Sequence, residues 1–84
     1  MNLKELVDEY IMVHDSIVAF GAYYVKNHKK IDLYHIIVFD ELLLKFVQLG
    51  YEIFSKSLNS NIPPEDSIEI NRAVQHLEKI PIKL

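Results

Sequence analysis

Leu3, Leu6, Tyr10, Val13, Ile17, Phe20 and Tyr24 recur at alternating intervals of three and four residues without a miss. That spacing is the repeat of one helical face, and no strand, with its period of two, can accommodate it. Glu5, Asp8, Glu9, Asp15, Ser16 and Lys26 fall mostly away from this stripe and mark the wet side. Acids in the opening turns, with Lys26, His28, Lys29 and Lys30 at the far end, suit the helix dipole. A first helix is therefore expected over about 3–28.

Beyond it, Asp32 is placed to cap a second helix over about 33–59. Here the clearer signal is polar. Glu41, Lys45, Gln48, Glu52, Ser55 and Asn59 form one narrow strip, and nearly everything else is apolar. Glu41 with Lys45 and Glu52 with Lys56 have the favourable orientation for intrahelical ion pairs. A helix apolar over most of its circumference is buried on more than one side, so this helix is expected to be central, between the first and third. Residues 60–64 contain Pro63-Pro64 and read as a linker, because a residue preceding proline is pushed out of the helical region. Pro64 suits the first position of a third helix over about 64–80, with Ile70, Ala73, Val74, Leu77 and Ile80 as its apolar face and Pro81 as its stop. The tail 81–84 alternates and is expected to be extended. Gly21 and Gly50 lie inside helices, where each costs about 1 kcal/mol against alanine unless backbone or side chains approach closely there.

The reading is all-α: one domain over 1–84, an antiparallel helical hairpin plus a shorter third helix. Half of the 84 residues are hydrophobic and a quarter are charged, a composition that folds. With no cysteine there is no disulfide framework, thiolate metal site or cysteine nucleophile. A net charge of −3 gives no bulk attraction for nucleic acid and is weak for a mimic of it. The first residues carry acids where an export signal has a basic segment and an apolar core. Apolar runs are broken by His14-Asp15 and Asp40-Glu41, well short of the roughly 18–20 residues that span a bilayer. The expected setting is the cytoplasm, without a membrane.

Several polar residues call for an explanation. Asp40 falls on the wheel among Ile37, Leu44, Val47, Tyr51 and Leu58, where a carboxylate needs a partner. If the chain turns at Lys29-Lys30, facing residues have numbers summing to about 61, which puts Asp40 near Gly21 and Tyr24. Its structural role is then a hydrogen bond to a tyrosine or to a base across an interface; its functional role is a partner contact or proton transfer. His14-Asp15 alone does not make a metal phosphohydrolase, which draws further ligands from several other helices, and His14 is expected to be a satisfied histidine on the helix surface. His28, Asp32 and His35 could converge at the turn as a zinc-type donor set, but their spacing follows no metal motif, and capping and dipole roles account for them. Arg72 and His76 lie one turn apart and could face one ligand. Their spacing is shorter than the arginine-to-histidine spacing of small helical ribonucleases, so that chemistry is not carried over. Tyr23, Tyr34 and Phe39 fit the intrachain stripes least well, and aromatics of this kind favour interfaces.

Helices 1 and 2 carry more apolar surface than each other and a short third helix can cover. The bundle is expected to be completed by a second copy, as a homodimer, or by another protein. The expected function is a non-enzymatic protein–protein interaction module that occupies a partner's surface, as small helical inhibitors, immunity proteins, antitoxins and phage-type modulators do. Tyr23, Tyr34, Phe39, Asp40, Arg72 and His76 are its candidate contacts, with no catalytic residue, cofactor or metal. The first alternative is a small nucleic-acid-associated regulator contacting phosphate through Lys26, Lys29 and Lys30. The second is a small metal-dependent or acid–base enzyme using His28, Asp32, His35 or Asp40.

Overall fold

A computed structural model describes residues 2–58 and 61–79. Three α-helices, α1 (Leu3–Lys26), α2 (Leu33–Ser55) and α3 (Pro64–Glu78), are joined by short 3-10 turns at His28–Lys30 and Lys56–Leu58, with no strand among the described residues. The side chain of Asn2 opens α1 by accepting from the Glu5 N–H at 2.8 Å. Asn27 closes it, its N–H and side-chain amide both donating to the Tyr23 carbonyl. The helix thus ends two residues before His28, with Asn27 as its cap satisfying the Tyr23 carbonyl twice. Asp32 caps α2 and Pro64 opens α3, ahead of Glu65 and Asp66 in its first turn. The α-helical part of α2 stops at Ser55, and the remaining turn tightens to 3-10 through Leu58. Asn59 and Ser60, the predicted end of helix 3 at Ile80 and the predicted extended tail lie outside the described residues. No described helix is long and apolar enough to cross a membrane.

The central helix is α1, not α2. It packs against both α2 and α3, whereas α2 and α3 make little direct contact. Six residues of α1 are buried, against two in α2. Breadth of apolar surface on α2 therefore does not translate into neighbours. The narrow stripe of α3 seats Ile70 and Ala73 on the α1 side, where Val7 and Ala73 are fully buried.

Among the described residues, every buried side chain lies in one end of the molecule. Leu3, Leu6, Val7, Tyr10, Val13 and His14 of α1 meet Leu49 and Ile53 of α2 and Ile70 and Ala73 of α3. We call this three-helix end the foot. From Asp15 to Gln48 none of the described side chains is buried, and the hairpin continues as a two-helix arm without a third layer. The principal extents of 50 × 25 × 18 Å reflect this extension. The two ends are zipped differently. In the foot, Tyr10 stacks on Phe46 at 4.6 Å and meets Phe54 edge-on at 5.9 Å. Along the arm, Phe20 packs against Tyr24 and Phe39, with centroids at 5.1 and 5.5 Å, and Tyr23 stacks on His35 at 5.9 Å.

Of the two helical glycines, only Gly50 is crowded. A Cβ there would meet Tyr10 Cε1 at 3.3 Å, while a Cβ at Gly21 would meet nothing within 4 Å. The predicted intrahelical pairs of α2 are replaced by a tertiary one: Lys45 reaches across to Glu9 of α1 at 2.5 Å. Among the described residues, neither Glu41 with Lys45 nor Glu52 with Lys56 forms an ion pair.

Candidate functional site

Two features stand out once the foot and arm are separated. The first is the outer face of α2 and of the 3-10 turn that follows it. Leu33, Ile37, Leu44, Val47, Tyr51 and Leu58 repeat at heptad spacing and remain exposed, from 48% at Ile37 to 86% at Leu58. Ile36 and Leu43 flank the same seam and are also exposed. Together these side chains form an apolar strip along most of the length of α2. Asp40 occupies the seam position between Ile37 and Leu44 and is itself exposed. Within the single chain its carboxylate is therefore not buried, because none of the described residues covers this face of α2. Burial raises the Tyr24 phenol above its ordinary pKa, and the charges of Asp40 and then Asp32 add to that.

The other aromatic candidates divide. Tyr34 stands out into solvent at 71% exposure, and Tyr23 is exposed along one edge while its ring lies on His35. Phe39 is half-buried between Phe20 and Tyr24, so it belongs to the arm's own packing rather than to a free contact surface.

The second feature is a polar cluster between α1 and α3. His14 is buried, in contrast to the surface position expected for it. Its Nδ1 lies 3.4 Å from Asp15 Oδ1, and its Nε2 has no hydrogen-bond partner among the described residues. Across the helix gap, His76 Nε2 sits 2.7 Å from the same Asp15 oxygen, and the two imidazoles meet edge-to-face with centroids at 5.0 Å. The hydrogen bond from His76 is the main cause that holds the Asp15 carboxyl below the ordinary aspartate range, against the opposing effect of desolvation and with His14 assisting. One donor atom from each of the three residues lies within 4.8 Å of the others. Two imidazoles and a carboxylate can bind a transition-metal cation or pass a proton along a short chain.

Arg72 and His76 do not share a ligand. Arg72 pairs with Asp8 at 2.8 Å and Glu69 at 2.6 Å, and donates to the Lys4 carbonyl at 3.4 Å. Bonding to Glu69 first, then to Asp8, raises its pKa further. Its guanidinium clamps α3 onto α1, so this candidate contact is already engaged within the chain. At the hairpin turn, Lys26, Lys29 and Lys30 are exposed, and none forms an ion pair among the described residues. Asp32 and His35 do come together, but as a helix cap. The carboxylate accepts from the His35 N–H at 3.1 Å and lies 2.6 Å from Nδ1 of the same residue. These bonds, the backbone one foremost, lower the Asp32 pKa. The side chain of His28, the third member of the predicted set, lies outside the description.

The heptad content of α2 was readable as an apolar wheel with one misplaced acid. The meeting of His76 with His14 and Asp15 was not, since it depends on how α3 is rotated about α1, and no local spacing records that. Comparison with protein-family models, with curated proteins and with solved structures finds no match to this chain.

Proposed function

We propose that this chain is a small non-enzymatic interaction module that works by burying the outer face of α2 against protein, and that its first partner is a second copy of itself. The observation that carries the reading is the exposed heptad seam from Leu33 to Leu58. It is long and apolar, and a contiguous exposed apolar strip of this kind marks a surface that meets protein. Two hairpins joined through α2 make a four-helix core of the kind that short helical chains use to complete themselves.

Asp40 favours an antiparallel arrangement. In a parallel pair the two Asp40 carboxylates would face each other, and like charges in a desolvated seam oppose association. In an antiparallel pair that sets Leu44 against the partner's Val47, the same register sets Asp40 against the partner's Tyr51. A phenol there donates to the carboxylate, so a buried acid gains its partner. A single polar position in an apolar seam fixes register in helical assemblies. Once assembled, the dimer retains Tyr34, Tyr23 and the exposed hairpin turn as surface for a further protein, in the manner of a helical inhibitor or modulator.

Sedimentation velocity tests this. The wild-type chain is expected to run as a dimer at micromolar concentration, and Leu44→Glu or Val47→Glu as a monomer with helicity retained, because neither residue belongs to the foot. A wild-type chain that stays monodisperse and monomeric at high micromolar concentration would sink the proposal.

A further inference from the structure

We infer that His14, Asp15 and His76 form a binding site for a late first-row divalent cation, zinc foremost, that clips α3 to α1. The site lies between α1 and α3, away from the α2 seam, and does not rest on the dimer.

Its donor set is the starting point. Two imidazoles and one carboxylate, with donor atoms mutually within 4.8 Å, are three ligands of a four-coordinate site, leaving one position for water. Tetrahedral zinc with bonds near 2.0–2.1 Å holds its ligand atoms roughly 3.3 Å apart. Here Asp15 Oδ1 lies 3.4 Å from His14 Nδ1 and 2.7 Å from His76 Nε2, so the carboxylate and imidazoles need only small side-chain rotations to enclose a cation. Imidazole donors select against magnesium and calcium, which take oxygen ligands.

The position of the cluster supports the same conclusion. His14 is buried, and its Nδ1 makes only a long 3.4 Å contact to Asp15, so that donor atom is not firmly held by the surrounding fold. Phe46 of α2 lies against its ring at 5.8 Å and limits its movement, while Asp15 is open to solvent and gives a cation its route in. The helix being fastened also has need of it. α3 has only Ile70 and Ala73 buried, and little contact with α2. Arg72 ties its middle to Asp8, and the cluster would tie its last turn to Asp15.

Calorimetric titration of the tag-free wild-type chain with zinc chloride tests the site. One zinc per chain is expected, with a rise in thermal midpoint. His14 is buried and its replacement could unfold the foot, so the informative variants are Asp15→Asn and His76→Gln. Each should weaken zinc at least about tenfold, the loss that follows even from disturbing a ligand's supporting shell. His35→Gln, at the only other described pairing of histidine and aspartate, should leave affinity unchanged. In the wild type, zinc should shift the imidazole nitrogen resonances of His14 and His76 and not those of His35. Absence of saturable binding by the folded wild-type chain would overturn the inference. So would binding that survives both Asp15→Asn and His76→Gln, or that is lost in His35→Gln.

Discussion

A glycine inside a helix has two opposite meanings, and this chain contains one of each. At Gly21 the space around a new Cβ is open, so alanine gains helix propensity with no steric cost. Gly21→Ala is expected to stabilise the fold by up to about 1 kcal/mol in chemical denaturation. At Gly50 the new methyl would press on Tyr10, whose ring is held between Phe46 and Phe54 and has nowhere to yield. Gly50→Ala is expected to destabilise despite the same propensity gain, and a stabilised variant would show that the Tyr10 ring can shift. The sequence could mark both glycines as costly but not tell them apart. The difference lies in which face of α2 turns toward Tyr10, and that is tertiary information.

At the level of helices, patterning was informative about each element and silent about their arrangement. The three-four stripe of α1 is buried from Leu3 to Val13 and half-buried from Ile17 to Tyr24, as one face of one helix should be. The wheel of α2 correctly showed an excess of apolar surface. It could not show that α3 would choose α1, because ion pairs from Arg72 to Asp8 and from His76 to Asp15 join residues more than 60 positions apart. The surroundings of Asp40 are of the same kind: its apolar neighbours on the wheel are real, and among the described residues no helix lies over them. The cap of α2, by contrast, is local and was legible at Asp32. It carries a pH dependence with a definite sign. The bonds from His35 depress the Asp32 pKa in the folded state, so the cap's contribution is full above about pH 4, the ordinary aspartate value, and is lost as pH falls through the lower folded one. In an NMR titration the His35 amide should therefore report a midpoint below about 4, and a midpoint at or above that value would remove the cap's role.

The whole molecule is more extended than its length requires. A compact chain of this size has a radius of gyration of about 12 Å, against the 15.0 Å found here. The difference is the arm, which has aromatic contacts between its two helices but no buried layer. Local stability should follow that division, since segments with few buried apolar contacts open at low free-energy cost. In Val47→Glu, amides of residues 17–40 are expected to exchange hydrogen much faster than those of the foot. If the proposed dimer forms, the α2 portion of the arm in the wild type should be protected by its partner. Equal protection of arm and foot in the monomeric variant would show that the arm is stable without cover.

The foot also governs when the chain can acquire its fold during synthesis. Its core joins Leu3, Leu6 and Val7 to Ile70 and Ala73, more than 60 positions further along the chain. A nascent chain that has emerged only through Ser55 possesses both hairpin helices but lacks the third wall of the core, and what it has to offer is mostly the apolar arm. Stable structure therefore waits for α3 to clear the ribosome, and until then the chain displays the same sticky surface through which finished copies would find each other.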